Sequence, residues 1–176
     1  MALLLITFTI GCGGDCLLLL PRSDDLSGYD HRWTYRVGAD LGFIDRHRIG
    51  FAFHPVRFDS GPFSYEGESY ELYYGFDLTR TFYSGPLRLF LILGGCHHPW
   101  RLKFQGEIMQ LPTGKVDFKD WGYFGGIEFN YRPIRFLDLR LGGYYYYLLS
   151  EHFDRLGFDD HDEKYVALYS GLRIRL

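Results

Sequence analysis

The stretch Arg135–Leu149, RFLDLRLGGYYYYLL, splits into two chemically different faces when read with a period of two. One face is Leu137, Leu139, Leu141, Gly143, Tyr145, Tyr147 and Leu149. The other is Asp138, Arg140, Gly142, Tyr144, Tyr146 and Leu148. A helix would mix these sets around its circumference, whereas a strand keeps them apart. The first face carries no charge. The second begins with an acid and a base and ends in aromatics. This is the pattern of a strand with lipid on one side and a polar barrel lumen on the other.

The chain repeats this design in six further segments, residues 32–43, 49–54, 70–79, 87–94, 121–132 and 165–176. In the first, Trp33, Tyr35, Val37 and Leu41 oppose Arg36, Gly38 and Asp40. In the last, Val166, Leu168, Leu172 and Ile174 oppose Tyr165, Tyr169, Gly171 and Arg173. A soluble barrel would turn the apolar set inward and wet the other, which should then be rich in Lys, Glu, Ser and Thr. Here that other face holds Gly, Ala, Tyr, Arg and a few acids, which suits a narrow, crowded lumen. The usage of cations agrees. Lys and Arg total 19, of which the four Lys are Lys103, Lys115, Lys119 and Lys164. Arg is favoured where a cation is buried and forked onto carboxylates. Segments of about ten residues match the span of a tilted membrane strand.

Links around residues 45–47 and 133–135 are short, whereas those at 59–68, 96–120 and 150–164 are long. This rough alternation is expected when turns face the periplasm and loops face outside. The architecture resembles that of small bacterial outer-membrane β-barrel proteins, and the apolar-alternating end at Leu176 is similar to their C-terminal insertion signal. The resemblance spans roughly residues 32–176 and concerns architecture. It implies an all-β, antiparallel up-and-down transmembrane barrel of about eight strands, located in the Gram-negative outer membrane and inserted by the barrel-assembly machinery.

The chain divides into an N-terminal segment, residues 1–30, and a barrel domain, residues 31–176. Two readings compete for the first segment. MALLLITFTIGC is the apolar part of an export signal, with Ile10-Gly11-Cys12 resembling a lipoprotein site. Alternatively, Ala2–Gly11 is the eighth strand that closes the barrel, with Leu3 and Leu5 facing the lumen and Cys12–Asp30 an outside loop. The three cysteines form no disulfide framework. No phosphate loop or zinc spacing is present, so no cofactor is expected. The net charge of -3 argues against a nucleic-acid partner.

With strand directions fixed, the inward residues sort by depth. Asp77, Arg88, Glu128, Arg132, Asp138, Arg140 and Arg173 are expected to form a salt-bridged plug, because a carboxylate in a narrow lumen needs guanidinium partners. Phe90, Trp100, Phe118, Phe124, Tyr144 and Tyr146 are expected to line an aromatic mouth, which either binds a small apolar ligand or lipid or packs the upper barrel. The even positions Trp100, Leu102, Phe104, Val116 and Phe118 keep the inward parity in the long link. Arg57, Arg101, Lys103, Lys115 and Lys119 face outward above the bilayer, where lipopolysaccharide phosphates would meet them. Trp33, Tyr35, Trp121 and Tyr123 form the outer aromatic girdle, and Phe43, Phe129 and Tyr131 the inner one. His54 and His98 are the candidates for an enzyme alternative, a lipid-acting acyltransferase or hydrolase. The His-x-Ser pattern of lipid A deacylases is absent. The acidic run near His152–Glu163 could hold a divalent cation through oxygens. A soluble barrel that binds an apolar ligand is the third class.

Overall fold

The computed structural model describes residues 8–22, 30–44, 46–80, 85–110, 117–149 and 162–176. Eight long strands dominate them: β1 (Phe8–Pro21), β2 (Arg32–Phe43), β3 (His47–Ser60), β4 (Phe63–Asp77), β5 (Leu87–Phe104), β7 (Phe118–Ile134), β8 (Leu137–Leu149) and β9 (Glu163–Arg175). A two-residue strand, β6 (Glu107–Ile108), folds back on the end of β5. Neighbours run β4-β3-β2-β1-β9-β8-β7-β5, and β5 pairs with β4 to close the barrel. All pairings are antiparallel. The seam joins the first and last strands, where Leu176 N donates to Ile10 O at 2.9 Å.

The two faces differ as the period-two reading expects. Trp33 is 67% exposed, Leu72 63%, Leu141 61% and Trp121 66%, and these apolar side chains form the outer belt. Arg36, Arg48, Glu71, Asp77, Glu128, Asp138 and Arg173 are buried inside. This is the inverse of a soluble barrel and the arrangement that hydrocarbon surroundings favour. An eight-stranded wall is just wide enough for side chains to fill its interior. Glycines make room where large groups cross. A Cβ on Gly75 would lie 2.6 Å from Arg48 Nε, and one on Gly94 2.5 Å from the Phe124 ring.

At the periplasmic end, residues 44–46 join β2 to β3 and Arg135–Phe136 join β7 to β8. Ile44 takes φ 54°, a left-handed conformation that costs a β-branched residue. Next to the second turn the β7–β8 register shifts between Tyr131 and Ile134. Pro133, which has no N–H to give a ladder, lies inside that shift.

Several sequence expectations are corrected. β1 does not stop at Gly11: Cys12–Leu19 lies in the wall, paired on both sides. Leu17 and Leu19 are buried in the upper lumen while Leu18 and Leu20 are on the outer side, so the leucine run has no polar face to mark it as a strand. Leu3 and Leu5 lie outside the described residues. The expected long link at 59–68 is strand almost throughout. Only Gly61–Pro62 separates β3 from β4, and Gly61 takes φ 55°. β5 likewise continues to Phe104, far beyond a membrane span of about ten residues. Gln105 and Gly106, both at positive φ, turn it into β6. Beside that turn Phe104 is 40% exposed and departs from the inward parity, which Trp100, Leu102 and Phe118 keep; Val116 lies outside the described residues.

Candidate functional site

Charged side chains cross the lumen in a continuous chain. Arg36 Nε and Nη2 fork onto Glu71 Oε2 at 2.9 and 2.8 Å, and Arg36 Nη1 reaches Asp15 at 3.2 Å. Asp15 also faces Arg140 Nη1 at 3.3 Å. Arg140 Nη2 reaches Glu128 at 2.5 Å, and Arg48 Nη2 meets its other oxygen at 2.5 Å. Tyrosines donate into the same carboxylates: Tyr146 to Glu71 at 2.6 Å, Tyr169 to Glu128 at 2.6 Å and Tyr144 to Glu128 at 3.1 Å. The guanidiniums also lie over rings, with Arg48 Cζ 4.2 Å from the Phe90 centroid.

A second set lies nearer the periplasm. Arg132 Nε donates to Asp138 at 2.7 Å, Arg173 pairs with Asp138 at 3.3 Å and with Asp40, and Arg88 pairs with Asp77 at 2.8 Å. The other Asp77 oxygen accepts from Thr79 N at 2.8 Å and Thr79 Oγ1 at 2.7 Å, which caps the turn after β4. The structure therefore places Asp77, Arg88, Glu128, Arg132, Asp138, Arg140 and Arg173 in the lower lumen, each with an opposite charge. Asp15, Arg36 and Glu71, which link the tiers, stand outside the set picked from sequence. Arg36 and Glu71 had the inward parity. Asp15 was hidden by reading Cys12–Asp30 as a loop.

Of the proposed mouth residues, five are buried and interlock. Trp100 stacks on Phe118 at 4.5 Å, and Phe124 stacks on Tyr146 at 4.9 Å. Tyr146 stacks on Tyr165 at 4.5 Å, and Tyr144 stacks on Tyr169 at 4.7 Å. Phe90 is elsewhere. It pairs with Asp77 and Glu128 near the start of β5, at the periplasmic end, so parity placed its face correctly but not its depth. His54 and His98 are both fully buried. His54 Nδ1 lies 2.9 Å from Glu71, and His98 Nε2 lies 2.8 Å from Tyr65 Oη, which donates to Glu163 at 3.0 Å. No opening from solvent to either imidazole is present among the described residues.

Outside, above the girdle, three of the cations chosen from sequence converge. Lys103 Nζ lies 2.7 Å, Arg57 Nη1 3.3 Å and Arg101 Nε 3.9 Å from Glu66. Arg57 also reaches Asp59 at 3.2 Å, and Arg32 pairs with that same carboxylate. Partial burial works against ionisation of Asp59, yet bonds from Ser64 and Arg57 and the charge of Arg32 hold it below the usual carboxylate range. Beside this cluster lies an open basin of about 510 Å³, lined by Val56, Arg57, Gly67, Trp100, Arg101 and Lys119 among others. Lys115 and most of the His152–Glu163 run lie outside the described residues. Among the described residues no group of three His, Cys, Asp or Glu is placed to hold a metal ion.

No protein-family model matches the chain, and no curated protein matches it. Solved structures do. A major outer membrane protein from Thermus thermophilus aligns with TM-score 0.62 at 13% identity, over 97% of this chain and 100% of that one. Neisserial surface protein A aligns with TM-score 0.60 at 13% identity, over 96% and 97%. Ail, the attachment invasion locus protein of Yersinia pestis, aligns with TM-score 0.53 at 14% identity, over 96% and 97%. The fold shared with these proteins is the small eight-stranded barrel of the bacterial outer membrane.

Proposed function

We propose that this outer-membrane barrel is a closed scaffold that acts at its outer rim, where its cations bind the phosphates of lipopolysaccharide. The convergence of Arg57, Arg101 and Lys103 on the single carboxylate of Glu66 carries the reading. Arg32, Arg57, Arg101 and Lys103 against Asp59 and Glu66 leave an excess of positive charge, just above an aromatic girdle that marks the lipid boundary. The adjoining basin adds Lys119 beside Glu68 and Asp117, with the apolar sides of Val56 and Trp100, a mixed lining that suits a phosphorylated glycolipid. Ail has been crystallised with the heparin analogue sucrose octasulfate, another polyanion.

The lumen supports the scaffold role. Its ion pairs and stacked rings fill the interior from the lower to the upper tier. Binding an apolar ligand inside would require Trp100 and Phe118, stacked at 4.5 Å, to part. That favours packing over a ligand pocket for the aromatic set. The burial of His54 and His98 favours a structural role over lipid acyl transfer or hydrolysis. Insertion of such a barrel would fall to the barrel-assembly machinery.

The test is binding of the detergent-purified chain to lipopolysaccharide and to its dephosphorylated form. The triple variant R57Q/R101Q/K103Q should bind the phosphorylated form about tenfold more weakly, and added salt should erase the difference. Equal affinity of variant and parent, or equal affinity for both forms, would sink the proposal.

A further inference from the structure

The periplasmic mouth of the lumen contains a cavity of about 50 Å³ whose wall includes Arg46, Arg48, Arg88, Arg132, Arg173 and Arg175. Among the described residues, the single carboxylate on the wall is Asp77. Carboxylates behind the wall do not make up the balance. Asp138 is shared by Arg132, Arg173 and, at 4.0 Å, Arg175. Glu128 is shared by Arg48 and Arg140. Asp40 serves Arg173, and Asp77 serves Arg88. Five of the six wall guanidiniums therefore draw on four carboxylates among the described residues, one of which also serves Arg140.

Behind the wall, hydrogen bonding is incomplete as well. Arg48 is 2% exposed and Arg173 4% exposed. Arg48 Nε and Nη1 and Arg173 Nε are buried and have no hydrogen-bond acceptor among the described residues. A buried guanidinium N–H without an acceptor is costly, so the positive charge of this end is held at some expense. The arginines are also fixed. Gly75 leaves room for Arg48 to lie flat across the wall, and Phe90 stacks on its guanidinium.

We infer that this cavity is a binding site for a small oxyanion of the phosphate class, taken up from the periplasmic side. Excess positive charge on the wall supplies the attraction. Planar guanidiniums match tetrahedral oxyanions through paired N–H bonds. The volume admits one such group and excludes a sugar or nucleoside attached within it. The ligand is either a soluble phosphate compound or the headgroup of a phospholipid at the periplasmic rim. Nothing in this site draws on the outer cationic cluster, which lies at the opposite end of the barrel.

The experiment is titration of inorganic phosphate into the full chain in octyl glucoside, a detergent without phosphate, followed by phosphorus NMR. The parent protein should show saturable binding. Two variants test the cavity. Thr9→Asp puts a carboxylate into the wall without removing an ion pair, and R88Q/R175Q removes cations from the rim. Each should weaken binding by about tenfold or more while the heat-modifiable mobility of the folded barrel is kept. Competition then separates the sources. Short-chain phosphatidylglycerol that competes better than glycerol phosphate supports a headgroup, and equal competition supports a soluble anion. Absence of saturable binding to the parent overturns the inference. So does binding that is insensitive to Thr9→Asp in a folded barrel.

Discussion

Replacing Glu128 by Gln removes one negative charge from the point where two guanidiniums meet. Arg48 and Arg140 each lie 2.5 Å from its oxygens. Arg140 retains Asp15 at 3.3 Å, whereas Arg48 retains no ion-pair partner among the described residues. The amide oxygen of Gln can still accept from Tyr144 and Tyr169, so the loss is mainly one of charge. A pair of unit charges 4 Å apart is worth about 4 kcal/mol at an effective dielectric of about 20. Breaking a buried pair from one side typically costs about 3–5 kcal/mol, because a desolvated charge is left behind. We expect E128Q to destabilise the barrel by about 4 kcal/mol on that scale. Adding Arg48→Met removes the stranded cation as well. The double variant E128Q/R48M should then be more stable than E128Q alone, with a coupling of about 1–3 kcal/mol. Urea unfolding in lipid vesicles, read by tryptophan fluorescence and by heat-modifiable mobility, measures both. If E128Q costs under about 1 kcal/mol and the double variant is additive, the guanidiniums are hydrated and the argument for a dry lumen fails.

Four further outcomes can be checked in the same assay. Gly126→Ala should cost about 1–3 kcal/mol, because the new Cβ would press on the backbone carbonyl of Gly143 and on Tyr144. Gly95→Ala, whose Cβ would meet its nearest neighbour at 3.6 Å, should be tolerated. Ile44→Asn should stabilise by about 0.5–1 kcal/mol, since Asn accepts the φ of 54° that strains a β-branched residue. Finally, the Asp59 carboxyl is held below its usual range, so its folded pKa lies below its unfolded one. Its contribution is thus present above the unfolded value of about 4 and is lost as pH falls through the folded value. The unfolding midpoint of the parent should drop more on acidification than that of D59N, and parallel curves would contradict this.

The fold was legible because lipid and lumen impose different chemistry on alternate residues. Trp33, Leu72, Leu141 and Trp121 all fall on the outward parity, and Arg36, Glu71, Glu128 and Asp138 on the inward one. The signal fades where the two sides become alike. Leu17–Leu20 meets lipid on one face and the apolar upper lumen on the other, so alternation vanishes and a wall strand reads as a loop. At the outer end β3 and β4 run on past the membrane with water outside, and their polar residues resemble a long link. Parity also carries no depth. Phe90 and Phe124 share a face of the barrel, yet one supports Arg48 near the periplasm and the other packs on Tyr146. Which acid meets which base was the least accessible feature. Arg36 joins residues 21 and 35 positions away, and those partners are chosen by strand order and stagger around the wall.

The seam between β1 and β9 brings together residues from opposite ends of the chain, as in Gly11 against Arg175 and Asp15 against Gly171. The ion pairs straddle it. Arg173 of β9 reaches Asp40 of β2, and Asp15 of β1 reaches Arg140 of β8. Until the seam shuts, these charges face an open sheet and stay hydrated. Closure therefore makes the final ladder bonds and strips water from the interior in one event. Such a step waits for the most distant contacts in the chain and has a high entropic threshold. The charges then act as a latch. Reopening the seam means rehydrating them against a wall of stacked rings, so the slow step in losing the barrel should be the same as the slow step in making it.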